Sequence, residues 1–378
     1  MRHEILHVQK VAGIAGSETY LLSLLPGLRD HGWDARMLML HAEEPGAFEF
    51  AAELERRGVP VDAVRLRADV DPIAFTRLVS RLTWSRPALL HTHLVHADVY
   101  GQLAGAVARV PVRLSTKHGF NEFRENRGFA LADRLVAGLA DVHIAVSRGL
   151  ARYLAETEGF AEDSFQIVHY GIRAGAAPRA YDGPPRLLCI GRLIPIKGHL
   201  VLLRALARAV REVPNLELRI AGRGPLDSAL RSIVDELGIG AHVQLLGQVS
   251  PIQSAIEEVG VVVVPSLGEG FGMVALEAME RARPVIASAV GGLVDIVRDG
   301  QTGTLVPPGE VEPLARAIVE LVTDSARAVQ MGAAGREHVL DRFGDERSLE
   351  RTELLYRSLL ETSRWPSASG ADASRTSP

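Results

Sequence analysis

The chain has 378 residues, 47% of them hydrophobic and 23% charged, with a formal net charge of −4. At about 150 residues per domain, that length predicts two or three domains of ordinary globular composition. The charge balance and the lack of a basic run with interleaved aromatics exclude a nucleic-acid footprint. The lone Cys189, inside the apolar run "RLLCIG", excludes a disulfide framework and reads as a small buried hydrophobe. No apolar stretch is long enough to span a bilayer, and Met1 leads straight into "RHEILHV", so a cytoplasmic location is expected.

In chain order, "EILHV" reads as a strand, "SETYLLSLLPGLRDHG" as a helix and "DARMLML" as a strand. "PALLHTH", "RLSTKHG" and "VHIAVS" read as further strands, with a helix "VYGQLAGAVARV" after the first of them. This alternation argues for a parallel sheet with crossover helices. "RAGAAPRAYDGPP" then interrupts it as a linker. A second alternation begins with strand "RLLCIG" and continues through "LELRIAG", "VQLLG", "GVVVVPS", "PVIAS" and "GTLVPP", each followed by a helical pattern.

The predicted fold class is therefore α/β, with two Rossmann-like doubly wound domains facing a central cleft. Domain 1 covers residues 1–173, the linker 174–185 and domain 2 residues 186–345. A helix over 346–364 crosses back to the first domain, and the polar tail 365–378 reads as disordered.

Two stretches suggest chemistry. In "GRLIPIKG", Gly191 and Arg192 follow a strand, while Lys197 and Gly198 open a helix. Glycines permit close backbone approach and the two cations suit a phosphorylated ligand, although a solvated loop with two surface cations fits the spacing equally well. In "GEGFGMVALEAME", Glu269 stands between glycines and Glu277 inside an apolar helical run. A buried, unpaired carboxylate is costly, so Glu277 must face solvent or meet a partner. "GRGP", with Gly222 and Arg223, is no dinucleotide fingerprint, because Asp227 stands where the third glycine belongs.

These stretches, with "PVIASAVGGLVDIV" and "GQTGTLVPPG", resemble the nucleotide-sugar half of the family 4 retaining glycosyltransferases. "AGSE", "HTH", "KHG" and "VSRGL" resemble the acceptor-side signatures of the same family, and the match runs over residues 1–360. The resemblance implies the GT-B fold and a donor that is a nucleoside diphosphate sugar, with no cofactor and no bound metal. It places Glu277 on the ribose hydroxyls, Glu269 on the sugar, and Arg192 and Lys197 on the diphosphate. Gly16, Gly191, Gly222, Arg223, Gly270, Phe271, Gly272, Met273 and Val274 complete the implied donor site. His118 of "KHGF" would face the donor sugar and the acceptor, with Ser17, His91, His93 and Lys117 on the acceptor side. A hydrogen-bonded structural histidine remains the other reading of His118. The family's paired glycines are replaced by Ala15 and Gly16. The only lysines, Lys10, Lys117 and Lys197, fall in loops that this reading places at the cleft.

"DVD" at Asp69–Asp71 spells a metal-binding pattern, but Pro72 and a helical run follow, so Asp71 reads as an N-cap. "HTHLVH" offers His91, His93 and His96, yet no carboxylate cluster completes a metal site. The expected activity is metal-independent, retaining transfer of a sugar from a UDP- or GDP-linked donor to a saccharide or lipid-linked acceptor. A nucleotide-sugar epimerase, or a metal-dependent hydrolase using His91 and His93, are the alternatives. Arg65, Arg67, Arg77, Arg81 and Trp84 leave peripheral contact with the inner face of a membrane open.

Overall fold

The computed structural model describes residues 4–120, 135–158 and 160–362, so the expected disordered tail lies outside the described residues. By their contacts these residues separate into two compact units. The first holds residues 4–117, 135–144 and 349–362; the second holds 118–120 and 145–348. The sequence boundary at 173 falls inside the second unit.

The first sheet is built from β1 (Glu4–Lys10), β2 (Asp34–His41), β3 (Val61–Arg65), β4 (Leu89–His93), β5 (Val112–Lys117), β6 (Val142–Ala145) and β7 (Phe165–Ile167). Its order is β3-β2-β1-β4-β5-β6-β7. The second contains β8 (Arg186–Ile190), β9 (Glu217–Ala221), β10 (Val243–Gly247), β11 (Val261–Val264), β12 (Val285–Ser288) and β13 (Gly303–Val306), in the order β10-β9-β8-β11-β12-β13. All five pairings in the second sheet are parallel. Parallel strands are covered on both faces, which is why β11 is the unbroken apolar run Val261–Val264, buried throughout.

Both sheets reverse their strand order next to their first strand, between β1 and β4 and between β8 and β11. Ligands of doubly wound sheets bind outside the strand carboxyl ends at that reversal. The loops leaving β8 and β11 carry "GRLIPIKG" and "GEGFG", so topology alone brings these two motifs together.

Local signals account for several element boundaries. Asp71 caps the helix Pro72–Ser85 by accepting from Ile73 N and Ala74 N at 2.9 and 3.0 Å, with Pro72 in the first turn. The run read as one helix from Val99 instead passes through Leu94–Ala97, a π-helical turn at Asp98–Gln102, and Leu103–Val107. Cys189 is buried, and burial pushes its thiol up to about 12. The Gly/Pro-rich stretch at 174–185 is tied down on the second unit. Gly175 N donates to Glu280, Arg281 to Ala176 O, and the Arg283 guanidinium lies 5.8 Å over the Tyr181 ring. Among the described residues, no helix is long and apolar enough to cross a membrane.

Candidate functional site

The second unit contributes a cluster at the carboxyl ends of β8 and β11. Gly191 N donates to Ala221 O at 2.9 Å and Leu193 N to Arg223 O at 2.9 Å, laying "GRLIPIKG" against "GRGP". Gly198 adopts φ +71, and any Cβ there would strike Pro265 O. Leu267 N in turn donates to Ile196 O at 2.7 Å. The two loops are thus knitted main chain to main chain.

That framework brings together Lys197 and Glu269, 72 positions apart. Lys197 Nζ donates to Glu269 Oε2 at 2.7 Å, and Ser266 Oγ donates to the same oxygen at 3.1 Å. Arg192 and Arg223 are exposed. Gly272, at φ +110, caps the helix Met273–Glu280, whose first turn has no side-chain cap; Met273 and Val274 there are half-buried. The open N–H groups and the positive end of the helix dipole suit an anion. Four residues beyond Met273, Glu277 is half-buried, and loss of water contact pushes its carboxyl up to about 8.

Phe271 turns inward. The residue is 2% exposed, and its ring packs against His169, Tyr170 and Phe343. His118 is half-buried and bonds through Nδ1 with the Tyr170 hydroxyl.

The first unit holds Gly16 and the acceptor-side residues Ser17, His91, His93 and Lys117, whereas His118 belongs to the second. Gly16 is exposed and Ser17 half-buried at the start of the helix Gly16–Asp30. Buried Glu18 anchors this turn, accepting from Ala15 N and Ser17 Oγ at 3.1 Å each and also from Gln9 Nε2. Burial raises the Glu18 carboxyl above its ordinary value, against the hydrogen bonds that lower it.

Lys117 is placed differently from the loop position expected of it. It ends β5, 3% exposed, and its Nζ donates to Asp98 Oδ2 at 2.7 Å, itself 2% exposed. Lys10 likewise ends a strand and pairs with Asp69 at 3.5 Å. A buried ammonium needs such a partner, and removing one member of the pair leaves an uncompensated charge.

His91 and His93 are fully buried and share one face of β4, their rings 4.2 Å apart. With His7 they form a group whose ring nitrogens lie within 4.8 Å of one another, close enough in principle to share an ion. The nitrogens of His7 and His91 also take part in a hydrogen-bond chain. His91 bonds with Thr116 and Tyr356 hydroxyls at 2.6 Å each; Tyr356 bonds with His7 at 3.3 Å, and His7 with His93 at 2.9 Å. Burial pulls His7 down to about 3, which keeps that imidazole neutral in the chain. The chain anchors the final helix, Asp345–Thr362, to the first sheet through Tyr356.

Tyr170, Ser266, Asp98 and Glu18 were not singled out from sequence. Ser266 had a usable signal in its position three residues before Glu269, whereas Tyr170 and Asp98 are brought to their partners only by the fold.

Two doubly wound sheets, the second with a cationic glycine loop at its strand reversal, define a two-domain Rossmann-like α/β protein. The description "Glycosyl transferase 4-like domain" matches residues 15–171 and "Glycosyl transferases group 1" residues 175–338. A D-inositol 3-phosphate glycosyltransferase from Streptomyces scabiei is 33% identical over 312 residues, 73% of this chain and 69% of the relative. The chain therefore belongs to the group 1 glycosyltransferases of family 4. It is also similar to a GDP-mannose-dependent alpha-(1-6)-phosphatidylinositol monomannoside mannosyltransferase from Mycolicibacterium smegmatis, 34% identical over 197 residues and 50% of each chain. The match thus spans about half the length of that curated relative. Among solved structures, Anabaena Alr3699/HepE in complex with UDP and glucose superposes with a TM-score of 0.83 at 20% identity, covering 94% of this chain and 100% of that one. That likeness establishes the GT-B fold.

Proposed function

We propose that the protein is a retaining, metal-independent hexosyltransferase, taking a sugar from a UDP- or GDP-linked donor to a hydroxyl of a saccharide or lipid-linked acceptor. The observation that carries this reading is the convergence of Lys197, Glu269 and the Gly272-capped helix bearing Glu277 at the strand reversal of the second sheet. In this reading Glu277 accepts from the ribose hydroxyls and Glu269 from the sugar hydroxyls, while the helix start, Arg192 and Lys197 hold the diphosphate. The bond from the anomeric carbon to the phosphate oxygen breaks, and the acceptor oxygen bonds to the same face of that carbon. The acceptor proton passes to the leaving diphosphate, whose growing charge the two cations stabilise. No cofactor takes part. The relatives' named activities, on GDP-mannose and on inositol-containing acceptors, support the substrate classes.

A panel of uridine, guanosine and adenosine diphosphate sugars tests this. One of them is expected to raise the melting temperature by mass action, and free nucleotide is released only when acceptor is present, equally with or without EDTA. Interconversion of two sugars without acceptor would mark an epimerase. Activity lost in EDTA and restored by zinc would return attention to His7, His91 and His93.

A lipid-linked acceptor is favoured by the helix Pro72–Ser85. It presents Ile73, 51% exposed, and Trp84, 83% exposed, with exposed Arg67, Arg77 and Arg86 on or beside it. Apolar anchors among cations suit an anionic bilayer surface. The protein is expected to float with phosphatidylglycerol vesicles and less so as Trp84→Ala. Equal flotation with neutral phosphatidylcholine, or none with either, would remove this contact.

A further inference from the structure

Ser147 follows β6 in the stretch "VSRGL" and opens the helix Arg148–Glu158. Its Oγ accepts from Leu150 N at 3.0 Å, the ordinary bond of a serine N-cap. A hydroxyl that accepts in this way still has its one proton to donate. Ser147 is fully buried, and the proton goes to Gly270 O at 2.6 Å, 123 positions away. Both residues belong to the second unit, and Gly270 stands next to Glu269 in "GEGFG". The neighbouring carbonyl is held too, since Glu269 O accepts from Gly292 N at 3.1 Å. The segment carrying Gly292 in turn meets the helix start, where Arg148 N donates to Asp295 Oδ2 at 2.8 Å. A Cβ on Gly149 would fall 2.4 Å from Gly291 O, so these two segments touch backbone to backbone. The loop bearing Glu269 is therefore held at two consecutive carbonyls, one of them by the Ser147 side chain.

We propose that Ser147 is a positioning residue for the transfer step, which sets the peptide between Glu269 and the Gly272 cap by fixing the Gly270 carbonyl. This deepens the transferase reading and rests on it. The Gly270–Phe271 peptide is trans, so its C=O and N–H point in opposite directions. With the carbonyl turned to Ser147, Phe271 N–H points away from that hydroxyl, and no backbone carbonyl among the described residues takes it. In the transferase reading this N–H is offered to an oxygen of the donor, between the Glu269 carboxylate and the helix start at Met273. A hydroxyl caps the helix and holds the carbonyl with a single atom, whereas an ionised aspartate cap has no proton to give. The stretch "VSRGL", grouped with the acceptor side by resemblance, thus serves the donor loop.

Ser147→Gly separates the two jobs, because glycine is tolerated as an N-cap but has no side-chain proton to donate. The full-length variant is expected to fold and to lose about 10-fold or more in kcat, with a smaller change in donor KM. Ser147→Ala, a second variant without the proton, should lose as much. Ser147→Thr keeps the hydroxyl and should turn over near the natural rate. In hydrogen exchange, the amides of residues 268–272 should exchange faster in Ser147→Gly, while those of β8 and β11 keep their protection. In a Glu269→Gln background the further cost of Ser147→Gly should shrink, since both act through one loop. A natural kcat in Ser147→Gly, unchanged exchange of the loop, or an equal loss in Ser147→Thr would overturn the proposal. Faster loop exchange in a protein that binds no nucleoside diphosphate sugar would sink the transferase reading while leaving the tie from Ser147 to Gly270 established.

Discussion

Lys197→Ala is expected to lower kcat by about 100-fold or more, the scale for losing one well-placed stabilising donor, while donor KM changes less. The reason lies in where charge develops. A bound diphosphate is already anionic, so a nearby cation aids binding somewhat; as the sugar–phosphate bond breaks, the bridging oxygen gains further charge and the same cation is worth more. The Lys197 ammonium is balanced by Glu269 at 2.7 Å, with both side chains largely shielded from water. The alanine variant therefore also releases Glu269 from its cation, leaving the Ser266 hydroxyl on that oxygen. A Lys197→Ala/Glu269→Gln double variant separates the two effects, since it removes the leftover carboxylate charge. Arg192→Ala should behave like Lys197→Ala, and the pair together should cost less than the product, because both act on one leaving group. Lys197→Arg tests geometry, since a planar fork need not fit a site made for a point charge. Steady-state kinetics with the donor found by the panel decide the matter. A rise in KM alone would make Lys197 a binding contact without a catalytic part.

The architecture was legible because parallel strands buried on both faces leave continuous apolar runs, and "VVVV" or "RLLCI" stand out without any partner in view. Elements with weak patterns were missed. β3 has one buried residue, Val64, so its edge position leaves no apolar run to read. The 19-residue helix Ser325–Phe343 carries Gly332 and Gly335, which read locally as breakers. In the fold, a Cβ on Gly332 would strike Ala282 O, so that glycine serves close packing of the helix. The donor-side motifs were visible because glycines and charges concentrate in short stretches. Their pairing was not, since Lys197 and Glu269 meet only when β8 and β11 become neighbours. For Lys117 and the histidines of β4 the partners were what the sequence could not show: Asp98 and a hydroxyl from the final helix reach them only inside the fold.

Glu277 gives the second large expected effect, and its sign follows from burial. Desolvation holds the carboxyl up at about 8, so at neutral pH it is mostly protonated. Stability contributed by that raised value is fully present below the ordinary carboxylate range and is lost as pH rises through about 8. Ribose hydroxyls donating to Glu277 would favour the ionised form, so donor binding should expel a proton. Donor affinity is then expected to rise with pH and level off above about 8. Between pH 6 and 8 the gain reaches roughly 50-fold if the bound carboxyl titrates below that window. Glu277→Gln should abolish this pH dependence and weaken the donor by roughly 10-fold or more, the scale for losing charge-assisted hydrogen bonds. Glu269→Gln should weaken it less, because the ribose is common to every donor while sugar contacts vary. Titration calorimetry in buffers of different ionisation enthalpy counts the released proton directly. Binding by the natural protein that neither releases a proton nor changes with pH, or full donor affinity in Glu277→Gln, would take the ribose away from Glu277.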